Sequence, residues 1–152
     1  MQSGSSSLDD SDTTWTNLVL CCNGEDGKAE SYRHCDVTKG ATDICATFRN
    51  PKTYAAPRLL DVQGGGRVVP VPGMPAGAEG VVEDVLRLNR ASLVRVRGRL
   101  FSALIHEIAR EKKRLPYGLT PARRKTLKAQ LKRRAISGHH PSVALSVAEH
   151  HL

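Results

Sequence analysis

The stretch that decides the fold runs from residue 79 to residue 114 and reads EGVVEDVLRLNRASLVRVRGRLFSALIHEIAREKKR. Its apolar residues recur at gaps near three and four, the spacing that places side chains on one face of an α-helix. They are Val82, Leu86, Leu93, Val96, Leu100, Leu104 and Ile108. The pattern predicts one long helix, roughly 54 Å in length at ~1.5 Å per residue. Gly98 weakens this helix by about 1 kcal/mol relative to alanine, and Pro116 and Gly118 end it.

A second, shorter helix is predicted over residues 120–136. Thr120 suits its N-cap, Pro121 its first helical position and Gly138 the position after its last turn. A narrow apolar stripe with four-residue spacing runs along it through Leu127, Leu131 and Ala135. Because most of the remaining side chains are cationic, this helix is predicted to be strongly basic.

The charge of the chain is divided unevenly. Residues 1–78 carry 7 Lys/Arg against 9 Asp/Glu, whereas residues 79–152 carry 16 against 6, which together give the net charge of +8. Such asymmetry favours a polyanionic partner, because every phosphate that a cation neutralises releases condensed counterions. The predicted phosphate-binding residues are Arg110, Lys112, Lys113, Arg114, Arg123, Arg124, Lys125, Lys128, Lys132, Arg133 and Arg134.

Four interpretations of this basic region compete. We favour nucleic acid, and RNA over DNA, because crowded cations repel one another unless an anion relieves them. The blocks KKR (112–114), RRK (123–125) and KRR (132–134) also resemble nuclear-import signals. An acidic membrane surface is disfavoured because the apolar stripe lacks Trp and Phe. The fourth interpretation is a solvated helix face without a partner.

Sequence-specific reading of DNA is not favoured. Residues 89–99 (NRASLVRVRGR) resemble the basic region of leucine-zipper transcription factors, with Asn89 and Arg97 at the expected separation. However, Glu107 stands where a leucine heptad should follow, and Pro116 breaks the helix soon afterwards. We interpret the match as chance.

The N-terminal half predicts a small β-rich module. Residues 1–14 are rich in Ser, Asp and Thr and are predicted to be a disordered acidic tail, and residues 15–62 are predicted to hold strands at 15–22, 44–48 and 56–62. Residues 63–78 (QGGGRVVPVPGMPAGA) combine dense Gly and Pro and are predicted to be a linker. With a tail at 137–152, the predicted fold class is α+β: this module, the linker, a long helix and a short basic helix, with disordered termini.

Heptad spacing in the long helix predicts a dimer seam. Valines and one asparagine alternate with leucines, the pattern that favours parallel two-stranded coiled coils. The seam residues are Val82, Leu86, Asn89, Leu93, Val96 and Leu100. The alternative is a helix that packs against the N-terminal module, because Val85, Leu104 and Ile108 widen the apolar stripe.

A cluster of cysteine and histidine residues lies inside the predicted module. Zinc takes four thiolate or imidazole ligands, and Cys22, His34, Cys35 and Cys45 could supply them. The chain contains no C-x-x-C pair, so ordinary thiols and a surface histidine are the alternative interpretation. No other cofactor is expected.

The remaining motifs bound the class of protein. The first residues are polar and acidic, and no apolar run reaches the length of a membrane span, so we expect an intracellular protein of the cytoplasm or nucleus with no membrane partner. The cysteines have no evident base partner, and no glycine motif cradles a phosphate. We therefore expect no enzyme and no small-molecule substrate.

A Cys/His-bearing N-terminal part, a basic stretch and a heptad-bearing helix within about 150 residues resemble the layout of the small cysteine-rich proteins of rod-shaped plant RNA viruses, the hordeivirus gamma-b and pecluvirus group. The resemblance implies an RNA-binding, self-associating suppressor of RNA silencing. The function expected first is thus a nucleic-acid-binding accessory or regulatory protein. The second is a coiled-coil adaptor that assembles through Leu86, Leu93 and Leu100, with a basic arm used only for nuclear localisation.

Overall fold

The computed structural model describes residues 23–48, 59–115, 117–137 and 141–152. The predicted acidic tail and the predicted strand at 15–22 lie outside these residues. The described elements, in chain order, are a 3-10 turn (Glu30–Tyr32), α1 (Asp36–Lys39), β1 (Leu60–Val62), β2 (Val68–Pro70), α2 (Ala78–Gly80), a π-helical turn (Val81–Val85), α3 (Ala91–Arg114), α4 (Pro121–Ser137) and α5 (Pro141–His150). The protein is a mixed α+β structure dominated by helices, which confirms the predicted class at this level.

The glycine run forms the turn of a β-hairpin. Strands β1 and β2 are antiparallel, with Val62 opposite Val68. The Gln63 N–H donates to the Arg67 carbonyl (2.8 Å), and the Gly66 N–H donates to the Gln63 carbonyl (2.7 Å). Gly66 has a φ of 89°, a conformation that glycine adopts at no steric cost. The prediction of a linker at 63–78 is therefore wrong, because these residues contain both the turn and a strand.

The other strand predictions have mixed outcomes. Of the strand predicted at 56–62, residues 60–62 form β1, and residues 56–58 lie outside the described part of the chain. The strand predicted at 44–48 is wrong. These residues form a turn, in which the N–H groups of Thr47 and Phe48 both donate to the Ile44 carbonyl.

The long helix predicted for residues 79–114 is interrupted, so that prediction is also wrong. In the π-helical turn, the Leu86 N–H donates to the Val81 carbonyl five residues earlier (2.8 Å). Arg87 follows with a φ of 49°, outside the helical region. Helix α3 starts only at Ala91. The apolar spacing continues across the break because both parts bury residues in the same core, including Val82 and Leu104.

On each strand of the hairpin, a side chain accepts a hydrogen bond from a backbone N–H that points away from the other strand. The Val62 N–H donates to Ser146 Oγ of α5 (2.8 Å), and the Val68 N–H donates to Asn89 Oδ1 (2.7 Å). Asn89 Nδ2 in turn donates to the Val68 carbonyl (2.9 Å). A two-stranded sheet has two edges that would otherwise expose unpaired backbone groups. These bonds attach the hairpin to α5 on one side and to the segment before α3 on the other.

Helix α5 lies at the centre of the molecule, packed against α3, α4 and β1. Its residues Val143, Val147 and Ala148 are completely buried. The prediction of a disordered tail at 137–152 is therefore wrong where the structure describes it. The predicted apolar stripe of α4 is buried in the same core, as Leu127, Leu131 and Ala135.

Candidate nucleic-acid interface

Ion pairs join the basic helix α4 to α3. Arg123 lies 2.7 Å from Glu111, and Arg134 lies 2.7 Å from Glu107. Because the later residue of α4 pairs with the earlier residue of α3, the two helices run antiparallel. Hydrogen bonding from Arg123 lowers the pKa of Glu111, and the hydrogen bond to Glu107 raises the pKa of Arg134. These pKa shifts favour the charged form of Glu111 in one pair and of Arg134 in the other.

These contacts divide the predicted phosphate-binding residues into two groups. Besides the two arginines paired across the helices, Arg114 lies 3.8 Å from Glu111, and Arg124 Nε donates to the Leu119 carbonyl (3.3 Å). Arg133 also has a partner within the chain. The others have no ion-pair partner in the part of the chain that the structure describes, and they are Arg110, Lys112, Lys113, Lys125, Lys128 and Lys132.

Lys125, Lys128 and Lys132, which we call the lysine row, share one face of α4. They are spaced three and four residues apart, which places them along one side of a helix. Lys125 and Lys132 are exposed. Lys128 is half-buried because it is the member of the row that lies nearest to the buried stripe of α4. Helix α4 carries seven Lys/Arg and no Asp or Glu. The row therefore presents to solvent a positive charge that no ion pair within the described ranges compensates.

A second row of basic residues, which the sequence analysis missed, lies on α3. Its members are all exposed, and we call them the α3 row: Arg95, Arg99, His106, Arg110 and Lys113. They recur at steps of four, seven, four and three residues, so they share one helical face. The buried residues of α3 lie on the opposite face as Arg97, Phe101, Leu104 and Ile108. Helical spacing in the sequence is sufficient to predict this row. Runs of adjacent cations predict only its last two members, Arg110 and Lys113.

The resemblance of residues 89–99 to a DNA-reading basic region has no counterpart in the structure. The Asn89 side chain is held by Val68 and also donates to Glu83 (2.6 Å). Arg97 is only 7% exposed, and its Nη2 donates to the Leu88 carbonyl. Burial lowers the pKa of Arg97. Both side chains are thus engaged by bonds within the chain.

The predicted dimer seam is not continuous, so it is wrong as a single stripe. Val82 is completely buried in the core of its own chain, and Asn89 bonds within the chain. The break before Ala91 separates the first three seam residues from the last three. On α3, Leu93 and Leu100 are half-buried, whereas Val96 is 47% exposed.

Two of the predicted zinc ligands lie together. His34 Nδ1 is 3.1 Å from Cys35 Sγ, whereas Cys45 is exposed, and Cys22 lies outside the described residues. A hydrogen bond with Asp43 raises the pKa of Cys45, which disfavours the thiolate that zinc binds. Within residues 23–48, 59–115, 117–137 and 141–152, no group of three or more His, Cys, Asp or Glu side chains could hold a metal ion.

Comparison with known proteins adds no family. No protein-family model, curated protein or solved structure matches the chain. Among the described helices, none is both long enough and apolar enough to cross a membrane.

Proposed function

We propose that the protein binds nucleic acid, RNA in preference to DNA, through phosphate contacts made by the lysine row and by the cations at the end of α3. The observation that carries the proposal is the lysine row itself: three ammonium groups on one face of a helix that has no acidic residue. A solvated surface helix usually mixes both signs and compensates them locally. An incoming phosphate backbone would supply the missing negative charge.

The chemistry of these side chains supports contacts to phosphates rather than to bases. Lysine is a compact point charge without the planar fork that pairs with a base edge or a phosphate through two hydrogen bonds. The forked side chains Arg123 and Arg134 are already engaged by glutamates. Phosphate contacts fix position without reading sequence. Asn89 and Arg97 are also held inside the chain, which supports RNA over sequence-specific DNA.

Suppression of RNA silencing, which the layout resemblance implies, is a narrower form of this proposal. Sequestering RNA requires only that its backbone be bound, whatever its sequence. Nuclear import through the same basic blocks is compatible with it, because the lysine row is accessible on the surface.

The test is a binding titration with labelled RNA, single-stranded and duplex, between roughly 50 and 200 mM salt. The variant K125Q/K128Q/K132Q removes the lysine row and no ion pair within the described chain. The matched control K28Q/R33Q/K39Q removes the same charge from the N-terminal half. We expect the lysine-row variant to bind at least about tenfold more weakly, and its slope of log affinity against log salt to be shallower by roughly 2 to 3 because three cations are lost. Two results would contradict the proposal: wild-type protein that does not bind RNA at low salt, or a lysine-row variant with the same RNA affinity as its control.

The adaptor hypothesis predicts different results from the same proteins. If α3 assembles a protein complex, RNA binding is weak and indifferent to the lysine row, and Leu93→Lys abolishes complex formation. The observation that favours this second function is the exposure of Val96, which lies on α3 beside the half-buried Leu93 and Leu100. Self-association also stays a prediction, which sedimentation of the wild-type chain can check.

A further inference from the structure

We infer that the α3 row is a second phosphate track, separate from the lysine row, which takes the backbone of an RNA duplex along the outer face of α3. The inference rests on the proposed function and names the form of nucleic acid that is bound. From Arg95 to Lys113 the row covers 18 helical steps, about 27 Å at ~1.5 Å per residue. That length lies within the reach of double-stranded-RNA-binding domains, which contact about 16 base pairs of duplex.

Among the residues that the structure describes, no ion pair compensates the charge on this face. Helix α3 contains two acidic residues, Glu107 and Glu111, and both are engaged with arginines of α4 on another side of the helix. No member of the α3 row has an ion-pair partner in the described part of the chain. Like charges at this spacing repel each other. An anion that runs the length of the helix would relieve all of them together.

The composition of the face favours a duplex over a single strand. Proteins that hold single strands stack successive bases on aromatic side chains. Among Phe, Tyr and Trp, the exposed residues in the described part of the chain are Tyr32 and Tyr117, and neither belongs to α3, whose one exposed ring is the imidazole of His106. The α3 row offers cations and, between them, the Ser102 hydroxyl. Such groups suit the recognition of a duplex by its backbone and shape.

The hairpin turn forms one wall of this track. Gly64 and Gly65 line an open groove of about 550 Å³ together with Arg95, Arg99 and His106. Both glycines are exposed and have no side chain between their backbone and the groove. A phosphate can therefore approach this wall closely while the arginines bind it from the helix.

The two basic surfaces are structurally separable. The pairs Glu107–Arg134 and Glu111–Arg123 lie on the side of α3 that faces α4. The α3 row lies opposite the buried face of α3, and the lysine row begins beside the buried stripe of α4 and points away from these pairs. A substitution in one row therefore leaves the other row and the interhelical ion pairs in place.

The experiment compares the binding of three full-length variants to a duplex RNA of about 16 base pairs, the span that double-stranded-RNA-binding domains contact, and to one of its single strands. R95Q/R99Q removes the two arginines of the α3 row that are not among the phosphate-binding residues predicted from the sequence. K125Q/K128Q/K132Q removes the lysine row, and K28Q/K39Q is the charge-matched control for R95Q/R99Q. Circular dichroism melting of each variant verifies that the fold is kept.

We expect R95Q/R99Q to weaken duplex binding about tenfold and to lower the salt slope by about 2, while single-strand affinity changes about twofold or less. Duplex affinity equal to that of K28Q/K39Q overturns the inference, and an equal loss for both RNAs overturns the choice of a duplex. If the lysine-row variant loses binding while R95Q/R99Q keeps it, only this inference fails. If wild-type protein binds neither RNA, the proposed function itself fails.

Discussion

The carbonyl oxygen of Gly65 lies 2.8 Å from the position that a Cβ atom on Gly98 would occupy. The turn of the hairpin and the middle of α3 thus meet through bare backbone. On the other side of the contact, a Cβ on Gly66 would lie 2.2 Å from the Val94 carbonyl oxygen. This close approach explains why a helix retains a glycine that costs it about 1 kcal/mol relative to alanine.

Gly98→Ala is therefore expected to destabilise the protein although alanine is the better helix former. The added methyl group meets backbone on the hairpin side, so the two elements must separate, at a cost of about 1–3 kcal/mol. Urea unfolding measures the change. Gly65→Ala is the matched control, because a Cβ there meets nothing within 4 Å and the change should stay within about 0.5 kcal/mol. A Gly98→Ala protein more stable than wild type would show that the contact does not exist.

Asn89→Val distinguishes the hairpin contact from a coiled-coil seam. In a coil, valine in place of a buried asparagine raises stability and strengthens association. In this structure it leaves the Val68 N–H and carbonyl without their partner, at a cost of about 1–3 kcal/mol. Thermal unfolding at several protein concentrations is the measurement. A melting temperature that rises, and rises further with concentration, would favour the seam.

Helix α5 is predicted to be indispensable for folding. Val147→Asp places a carboxylate at a completely buried position, and burying an unpaired charge costs several kcal/mol, a large part of the stability of a small domain. We expect loss of the cooperative unfolding transition. The same substitution at Val96, which is 47% exposed, is the control and should leave the transition in place. Equal stability of the two variants would mean that α5 does not form the core.

Local signals in the sequence were sufficient for α4 and not for the hairpin or for α5. The stripe at Leu127, Leu131 and Ala135 depends only on helical periodicity, and the structure buries it as predicted. By contrast, three glycines look like a linker until their partner Gly98 is known, and that partner is more than thirty residues away. Short apolar helices such as α5 carry little periodic signal, since their burial is decided by the elements around them.

The break before α3 could not be predicted from the local sequence for a similar reason. The backbone of Leu86 accepts a hydrogen bond from the Cys35 N–H (2.7 Å), and the side chain of Asn89 bonds to β2, so both are fixed by distant parts of the chain. The candidate site was predicted in part. Composition identified the basic region, but the contacts that engage Arg123 and Arg134 depend on how α4 folds back on α3.

Stability is predicted to fall below about pH 6.5 because of His34. His34 is 6% exposed, and this burial lowers its pKa from 6.5. The charges of Arg97 and Arg90 lower the pKa further, and the charge of Glu25 opposes them. As the pH falls below 6.5, the folded state therefore binds fewer protons than the unfolded state. The contribution of His34 to the free energy of unfolding is complete above pH 6.5 and is lost as the pH falls to the lowered pKa.

Melting temperatures at about pH 7.5 and about pH 5.5 test this dependence. We expect wild-type protein to lose more stability between these values than His34→Gln does, because glutamine does not titrate. Equal losses in the two proteins would assign the pH dependence to other groups.

Neutralising the two glutamates of α3 is predicted to tighten RNA binding, provided that the proposed function holds. Glu107→Gln with Glu111→Gln removes two negative charges and releases Arg134 and Arg123 to contact phosphates. We expect several-fold higher affinity and a salt slope steeper by up to about 2, since two more cations take part. Glu25→Gln with Glu79→Gln removes the same charge elsewhere and is the control in the same RNA titration. If the Glu107 and Glu111 variant binds no better than this control, the arginines that these glutamates hold do not lie at the RNA interface.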